Sequence, residues 1–407
     1  MLGYRKKSFA IAHALLKKIQ NGIDDVENTL KCQMLLLDEI LIAEKQIQRH
    51  KTNLNNAKLK LKNTRPNRSV ALKLKNKIKW TEQRIDSYQG LLYVWRNFGD
   101  GIVFSFLDRF AVKHVFYETE NSKAKQDAGF VGGKSGLQSE IILVEDATRH
   151  GIPAVLTDLT NSIRHGDVCL LGASDPRLVE VKSTSRLNKR GKRQVESIEK
   201  LHSFFDTDQA MGLRGIPKLN RVEHPIAPHY YEAEMNQCIK DAVHEGYSIT
   251  NPEPGLHYAA IYSGEKNVVE HIFGQIDAQK PTVFSLNEFK SSRAWAPYYP
   301  FTLSIHEHQH LYDFIKGNLF LIVCLDREVV CQAISDMGLD PTFDDDPYYP
   351  LRYVEPSSGF EGHISRHILQ RVALEFLSPK WLLEYQHHAL KRRPLNPDDG
   401  WIDKLQE

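Results

Sequence analysis

The chain has no hydrophobic run long enough to cross a bilayer. Its longest clean apolar run, Leu319–Leu325, falls far short of the roughly 18 residues a helical span needs. Cysteine is also scarce. Cys32, Cys169, Cys238, Cys324 and Cys331 form no CxxC pair and no regular spacing. That pattern argues against a disulfide framework and a cysteine-based zinc site, and a reducing cytoplasm is the expectation. The first residues, MLGYRKKSFAIAHALLKK, offer a basic start and a short apolar stretch. That stretch contains His13 and closes on Lys17 and Lys18 without a small-residue cleavage site, so it is not read as a signal peptide. No internal repeat and no long low-complexity segment stands out. Acidic residues are missing altogether from segment 45–81.

What is present fits a globular protein. Apolar residues make up 41% of the 407 and charged residues 26%, enough to bury real cores. At roughly 100–200 residues per domain, two to four domains are expected. The net charge of +2 hides an asymmetry. Residues 1–100 carry 20 Lys and Arg against 9 Asp and Glu, and segment 45–81 alone holds 12 Lys and Arg. Such a stretch attracts polyanions, since each phosphate neutralised releases a counterion. The plainer reading is a solvated, lysine-rich helix face.

Residues 24–62 read as one long helix, with Val26, Leu30, Met34, Leu37, Leu41 and Ile47 at helical spacing. Arg65-Pro66-Asn67 interrupts it. A second helix follows over about 69–97, with a seam of Ala71, Leu74, Ile78, Thr81, Ile85, Tyr88, Leu92 and Trp95. The alternating three-four spacing suggests a coiled-coil-like hairpin with the basic stretch at its tip. This arm serves either nucleic-acid binding or homo-oligomerisation. Lys58, Lys60, Lys62, Arg65, Arg68 and Lys73 are its candidate phosphate contacts. Beyond it the texture is α/β or α+β. A helix is expected over 136–149, β-type runs at 152–159, 167–171 and 177–183, and a charged helix over 191–205. After Pro225 come helices at 231–245, 305–316, 362–375 and 379–391, with β-type runs at 257–263, 319–325 and 347–354. The expected division is 1–98 (basic helical hairpin), 99–228 (catalytic domain) and 229–407 (C-terminal α/β domain of unassigned role).

The informative stretch is His165-Gly166-Asp167-Val168-Cys169-Leu170-Leu171, a Gly/Asp/Pro turn, then Arg177-Leu178-Val179-Glu180-Val181-Lys182. It reads as a hairpin. Glu180 and Lys182 fall on one face, and Val179 and Val181 are expected to face a core. This suits metal-assisted phosphodiester hydrolysis. A hard cation takes carboxylate oxygens and keeps waters, so Asp167 and Glu180 would supply two ligands and the Val181 carbonyl a third. Lys182 is placed to orient water or stabilise charge on phosphorus. Glu140 lies on the preceding helix, with Glu145 and Asp146 as competitors on the same helix. Arg190, Lys192, Arg193 and Gln194 open the following one, where phosphate contacts are favoured.

This order of residues resembles the PD-(D/E)XK phosphodiesterase superfamily, the restriction-endonuclease-like fold. The likeness covers about 134–206 and rests on Asp167, twelve residues, then Glu180-Val181-Lys182. It implies an αβββαβ core and Mg²⁺ or Mn²⁺ as cofactor. Asp167 and Glu180 would be metal ligands, Lys182 the catalytic lysine and Glu140 a helix acid. Some branches add a Gln on the next helix, which Gln194 matches, although their Tyr partner one turn on has no counterpart. Gly166 stands where the motif often has Pro. The expected function is a metal-dependent nuclease, with DNA favoured over RNA, in bacterial defence or DNA processing. The C-terminal domain is free to bind a regulatory protein or ligand, and no membrane partner is expected. The alternative is a nucleic-acid-binding scaffold on a nuclease fold that has lost activity.

Two rival motifs are weaker. Ala128-Gly-Phe-Val-Gly-Gly-Lys-Ser135 satisfies a relaxed phosphate-loop pattern, and LFLIVCLD at 319–326 looks like its partner strand. The residues before the loop, Ser122-Lys-Ala-Lys-Gln-Asp, cannot form the buried strand such a loop needs. His306-Glu307-His308-Gln309-His310 contains H-E-x-x-H, a zinc-peptidase pattern. Ser304 and Glu307 there read instead as a capping box opening a short helix. The aromatics Trp295-Ala-Pro-Tyr-Tyr-Pro-Phe and Tyr348-Tyr349 read as packing, with base stacking the lesser alternative.

Overall fold

The computed structural model describes residues 5–22, 26–64, 66–181, 189–223, 226–262, 268–391 and 399–404. They form two compact units, Met1–His202 and Ser203–Glu407.

The first unit opens with three helices, α1 (Lys6–Asn21), α2 (Val26–Asn63) and α3 (Arg68–Phe106). α2 and α3 make the expected antiparallel hairpin. His50 stacks on Tyr88 with ring centres 5.7 Å apart, and Lys58 pairs with Glu82 at 2.8 Å. The seam read from the sequence of α3 turns inward, from half-buried Ala71 and Leu74 to buried Leu92 and Trp95. Asn67 caps α3 by accepting from the Val70 N–H at 3.0 Å, a contact of about 1 kcal/mol. The helix runs on to Phe106 rather than ending near 97. Glycines 99 and 101 look like breakers, yet Gly99 is required by close approach. A Cβ there would stand 1.9 Å from the Leu159 carbonyl oxygen.

Buried polar side chains tie the base of the hairpin to residues 154–162. Gln33 donates to the Ala154 carbonyl at 2.9 Å and accepts from the Leu156 N–H at 3.2 Å. Asp100 accepts from the N–H groups of Asn161 and Ser162 at 2.8 and 2.9 Å, and from the Ser162 hydroxyl at 2.6 Å. A division at 98 therefore has no counterpart in the two units, and the one observed lies after His202 rather than near 228.

A helical turn, α4 (Arg109–Val112), and α5 (Leu137–Arg149) lead into β1 (Ala154–Leu156), β2 (Val168–Leu170), β3 (Arg177–Val179) and α6 (Lys189–Thr207). The strands form an antiparallel sheet in the order β1-β2-β3, with Val155 opposite Cys169 and Cys169 opposite Leu178. Each strand is shorter than expected. Leu178 takes the core position, while Val179 and Val181 are only half-buried. The ladder stops at Val179 because the Val181 N–H donates to a side chain, the Asp167 carboxylate, at 2.9 Å. The sequence α5-β1-β2-β3-α6 matches the expected helix, meander and helix. Among the described residues no fourth strand joins this sheet, because the next strand pairs elsewhere.

The second unit continues with β4 (Gln209–Leu213), β5 (Ile216–Glu223), α7 (Glu232–Glu245), β6 (Tyr247–Glu253), β7 (Leu256–Tyr262), α8 (Val268–Gln275), β8 (Pro281–Ser285), α9 (Leu286–Ser291), α10 (Phe301–Ser304), α11 (His308–Lys316), β9 (Leu319–Asp326), α12 (Arg327–Asp336), β10 (Asp340–Phe343), β11 (Leu351–Glu355), β12 (Phe360–Ile364), α13 (Arg366–Leu374), α14 (Pro379–Lys391) and β13 (Asp399–Lys404). Its main sheet is antiparallel, β6-β7-β9-β8, and two smaller sheets have the orders β10-β11-β12 and β13-β5-β4. The expected aromatic packing is present around Trp295, whose indole donates to the Tyr299 carbonyl at 2.7 Å, while Tyr348 and Tyr349 are exposed. No helix among the described residues is long and apolar enough to cross a membrane.

Candidate active site

Asp167 sits one residue before β2, and its N–H donates to the Val179 carbonyl at 2.9 Å. That bond places Glu180, the next residue after Val179, beside Asp167 at the rim of the sheet. Gly166 takes φ +71°, and a Cβ there would stand 3.0 Å from the Val179 carbonyl oxygen. The position excludes the motif's frequent proline, whose ring fixes φ near −65°. The Val181 N–H holds one oxygen of Asp167, Oδ2.

Glu140 lies in the first turn of α5 and is buried, whereas its competitors Glu145 and Asp146 are exposed. Burial, then the charge of Asp167, lifts the Glu140 carboxyl to about 7, with Asp158 and Glu180 adding to the rise and Lys134 opposing it. Asp167 is itself raised, chiefly by burial and against the Val181 hydrogen bond. The sequence-predicted trio of Asp167, Glu180 and Glu140 therefore shares one locality.

Beside it lies a cavity of about 390 Å³ lined by Lys125, Lys134, Asp158, Arg164, Asp167 and Gln194, among others. Gln194, expected from the following helix, thus reaches the same space as Asp167. Lys192 and Arg193 are exposed near the start of α6. Lys182 and Arg65 lie outside the described residues, as does the side chain of Arg190. On the arm Lys60, Lys62, Arg68 and Lys73 are exposed, while Lys58 is exposed but paired with Glu82.

Sequence reasoning gave no role at this site to Asp158, Lys134, Lys125, His165 or Arg164. Asp158, in the tight turn after β1, forms an ion pair with Lys134. Lys125 donates to Nδ1 of buried His165, whose Nε2–H donates to the Tyr117 carbonyl at 2.9 Å. Burial first, and Lys125 second, push His165 down to about 4, so it is neutral. Arg164 pairs with Asp127 at 2.6 Å and stacks on Phe116. The only sequence signal was weak, a polar Thr-Asp-Leu-Thr-Asn-Ser turn and a lysine inside a glycine-rich run.

The rival motifs have other roles. Glu44 of α2 accepts from the N–H groups of Val131 and Gly132 at 2.9 and 2.8 Å, occupying donors a phosphate would need. LFLIVCLD is β9 in an antiparallel sheet, and Asp326 at its end accepts from Gln279, Lys280 and Glu328 N–H groups. His306 precedes α11 and meets Glu232 at 2.6 Å, while buried His310 lies inside the helix. The two histidines are therefore not set on one helix face. The expected capping box is absent too, since Ser304 ends α10 and Glu307 caps α11 without a side-chain bond.

Among the described residues, no group of three or more His, Cys, Asp or Glu side chains is drawn together closely enough to hold a metal ion. The expected set of Asp167, Glu180 and Glu140 is thus not a ready-made three-carboxylate cage. No protein-family model, no curated protein and no solved structure matches the chain.

Proposed function

We propose that the chain is a metal-dependent phosphodiesterase acting on nucleic acid, with DNA favoured. The observation that carries this reading is the Glu140 carboxyl, lifted to about 7 first by burial and then by the negative charges of Asp167, Asp158 and Glu180 gathered in the same locality. The Lys134–Asp158 ion pair offsets only part of that negative charge. A divalent cation would relieve it. Mg²⁺ or Mn²⁺ fits, since such ions use one or two carboxylates and retain waters, so no three-carboxylate cage is needed. Asp167 through the oxygen not held by Val181, Glu180 and the Val181 carbonyl would hold it, with Glu140 in support. Bound there, the ion supplies Lewis-acid polarisation of a phosphate and a water of lowered pKa.

The chain's own groups supply the rest. The Val181 N–H fixes the Asp167 carboxylate, and Glu140, ionising near neutrality, is matched to take or return a proton at its Oε atoms. Gln194 and the cavity's cations offer donors to phosphate oxygens. Lys182 keeps the charge-stabilising role implied by the PD-(D/E)XK resemblance. The basic arm adds sequence-independent affinity. A cleft of about 330 Å³ in the second unit, lined by Phe289, Arg327, Phe343 and Arg366, suits the regulatory ligand suggested for the C-terminal region. A cytoplasmic nuclease of defence or DNA processing is the setting this reading favours.

The test is to incubate the protein with duplex DNA, single-stranded DNA and RNA in Mg²⁺, Mn²⁺ or EDTA. Cleavage that needs the metal and vanishes in Asp167→Asn is the expected result. No cleavage of any substrate with either metal overturns it. That outcome, with binding retained, would favour the scaffold reading, which draws on the lack of a preformed ligand cage.

A further inference from the structure

The glycine-rich loop 128–135 enters the phosphodiesterase reading only through the charge of Lys134, yet the whole loop is held against the site from two sides. It is fastened to both arm helices. Glu44 of α2 accepts from two of its N–H groups, and Lys51 of α2 lies over the Phe130 ring at 5.2 Å. A Cβ on Gly132 would stand 3.3 Å from the Leu41 side chain, so the loop lies flush on α2. From α3, Arg96 donates to the carbonyls of Ala128 and Gly129 at 3.3 and 2.8 Å. The residue so delivered is Lys134. It lines the Asp167 cavity, pairs with Asp158 and keeps 34% of its side chain exposed.

We infer that Lys134 is a substrate-phosphate contact of the cleft, positioned by the grip of Glu44 on its loop. The inference rests on the phosphodiesterase reading for the identity of the ligand. The geometry supplies its physical logic. A lysine held by one carboxylate presents its remaining ammonium hydrogens to the cavity, where a phosphate oxygen accepts them. Asp158 fixes its direction. Glu44 acts through the loop and is a positioning residue.

The test uses the full chain and a labelled 30-base-pair duplex in EDTA, where binding is read without hydrolysis. Lys134→Ala is expected to weaken binding about tenfold, as for removal of a charge-assisted hydrogen bond, and to lower the slope of log affinity against log salt by about 0.9. Lys134→Arg should restore both. Glu44→Gln should weaken binding in the parent chain and do nothing further in Lys134→Ala, since neighbours acting through one group are not additive. Matching thermal unfolding of the variants separates these effects from misfolding. Binding and salt slope unchanged in a folded Lys134→Ala overturn the inference, and additive weakening removes the role of Glu44. Cleavage assays in Mg²⁺ run beside these. A parent chain that binds but never cleaves, with Lys134→Ala still weakened, sinks the phosphodiesterase and leaves the phosphate contact. A parent that cleaves, with Lys134→Ala unaltered in binding and rate, does the reverse.

Discussion

In the first unit the carboxyl of buried Glu140 is raised by its burial and then by the charges of Asp167, Asp158 and Glu180 nearby. In the second, Glu253 is buried against donors: the Tyr231 and Ser378 hydroxyls at 2.8 and 2.6 Å and the Lys380 N–H at 2.8 Å. Glu375 is likewise met by Arg371 at 2.9 Å and the Tyr299 N–H at 3.1 Å. The same residue type thus serves two ends. Carboxylates answered by donors fasten β6 to the start of α14 and α13 to the loop at Tyr299. Carboxylates set against one another hold electrostatic energy that a cation can release. Under the proposed function, the difference separates burial that fastens the fold from burial that serves a site.

That contrast is broken or sharpened most by removing the carboxylates. Asp167→Asn and Glu180→Gln are each expected to lower cleavage by about a thousandfold, the scale of several kcal/mol of charge stabilisation. Their unfolding midpoints should stay at or above that of the parent. Glu253→Ala should do the opposite. It strands the buried Ser378 hydroxyl and two part-buried donors, so stability measured by denaturant unfolding should fall by about 2 kcal/mol, with the turnover of the folded fraction unaltered. Equal falls in stability in both units would erase the distinction.

The long elements are legible because their signal is periodic and repeated. The seam from Ala71 to Trp95 marks α3, and only its end escapes the pattern, since Gly99 answers a contact with Leu159 that no local pattern encodes. The Asp167–Glu180 pair is legible from a hairpin with a lone acid and a Glu-x-Lys. The groups around it are not. Asp158 and Lys134 meet across the fold, and Glu44 reads as one charge on a helix that is otherwise an apolar-seamed rod. Short strands such as β4, β6 and β8 escape detection, because five to seven residues of mixed polarity carry little period-two signal.

The arm offers the next, smaller effect. Neutralising Lys58, Lys60, Lys62 and Lys73 should weaken binding alike on unrelated duplexes, with the salt slope falling by about 0.9 for each phosphate no longer neutralised. Lys58 should contribute least, because Glu82 already holds it. Along α2, Glu44 and Lys62 are about 27 Å apart at 1.5 Å per residue. Duplexes shorter than about 8 base pairs should therefore gain little from the arm tip. Cleavage at saturating substrate should survive. An unchanged salt slope with conversion of a dimer to a monomer would reassign the arm to oligomerisation.

The smallest effect is in the pH dependence of stability, where the two units should differ in sign. Glu140 ionises at about 7 in the folded chain against 4.5 in the unfolded one. The folded state therefore binds more protons between those values. Its stabilising share is fully present below 4.5 and is lost as pH rises through 7. Lys290, buried with its ammonium donating to the Phe314 and Ile315 carbonyls, is lowered by burial from 10.5 to about 8. Here the unfolded state binds more protons, so stability should rise between 8 and 10.5. Thermal unfolding across pH 5 to 8 should show a midpoint falling by a few degrees, flattened by Glu140→Gln. Mg²⁺ should flatten it too, because a cation beside Asp167 and Glu180 favours the charged Glu140 that their own charges disfavour. A slope that persists in Glu140→Gln would place the titrating group elsewhere. A slope removed by the substitution but untouched by Mg²⁺ would show that the carboxylates repel one another without attracting the ion.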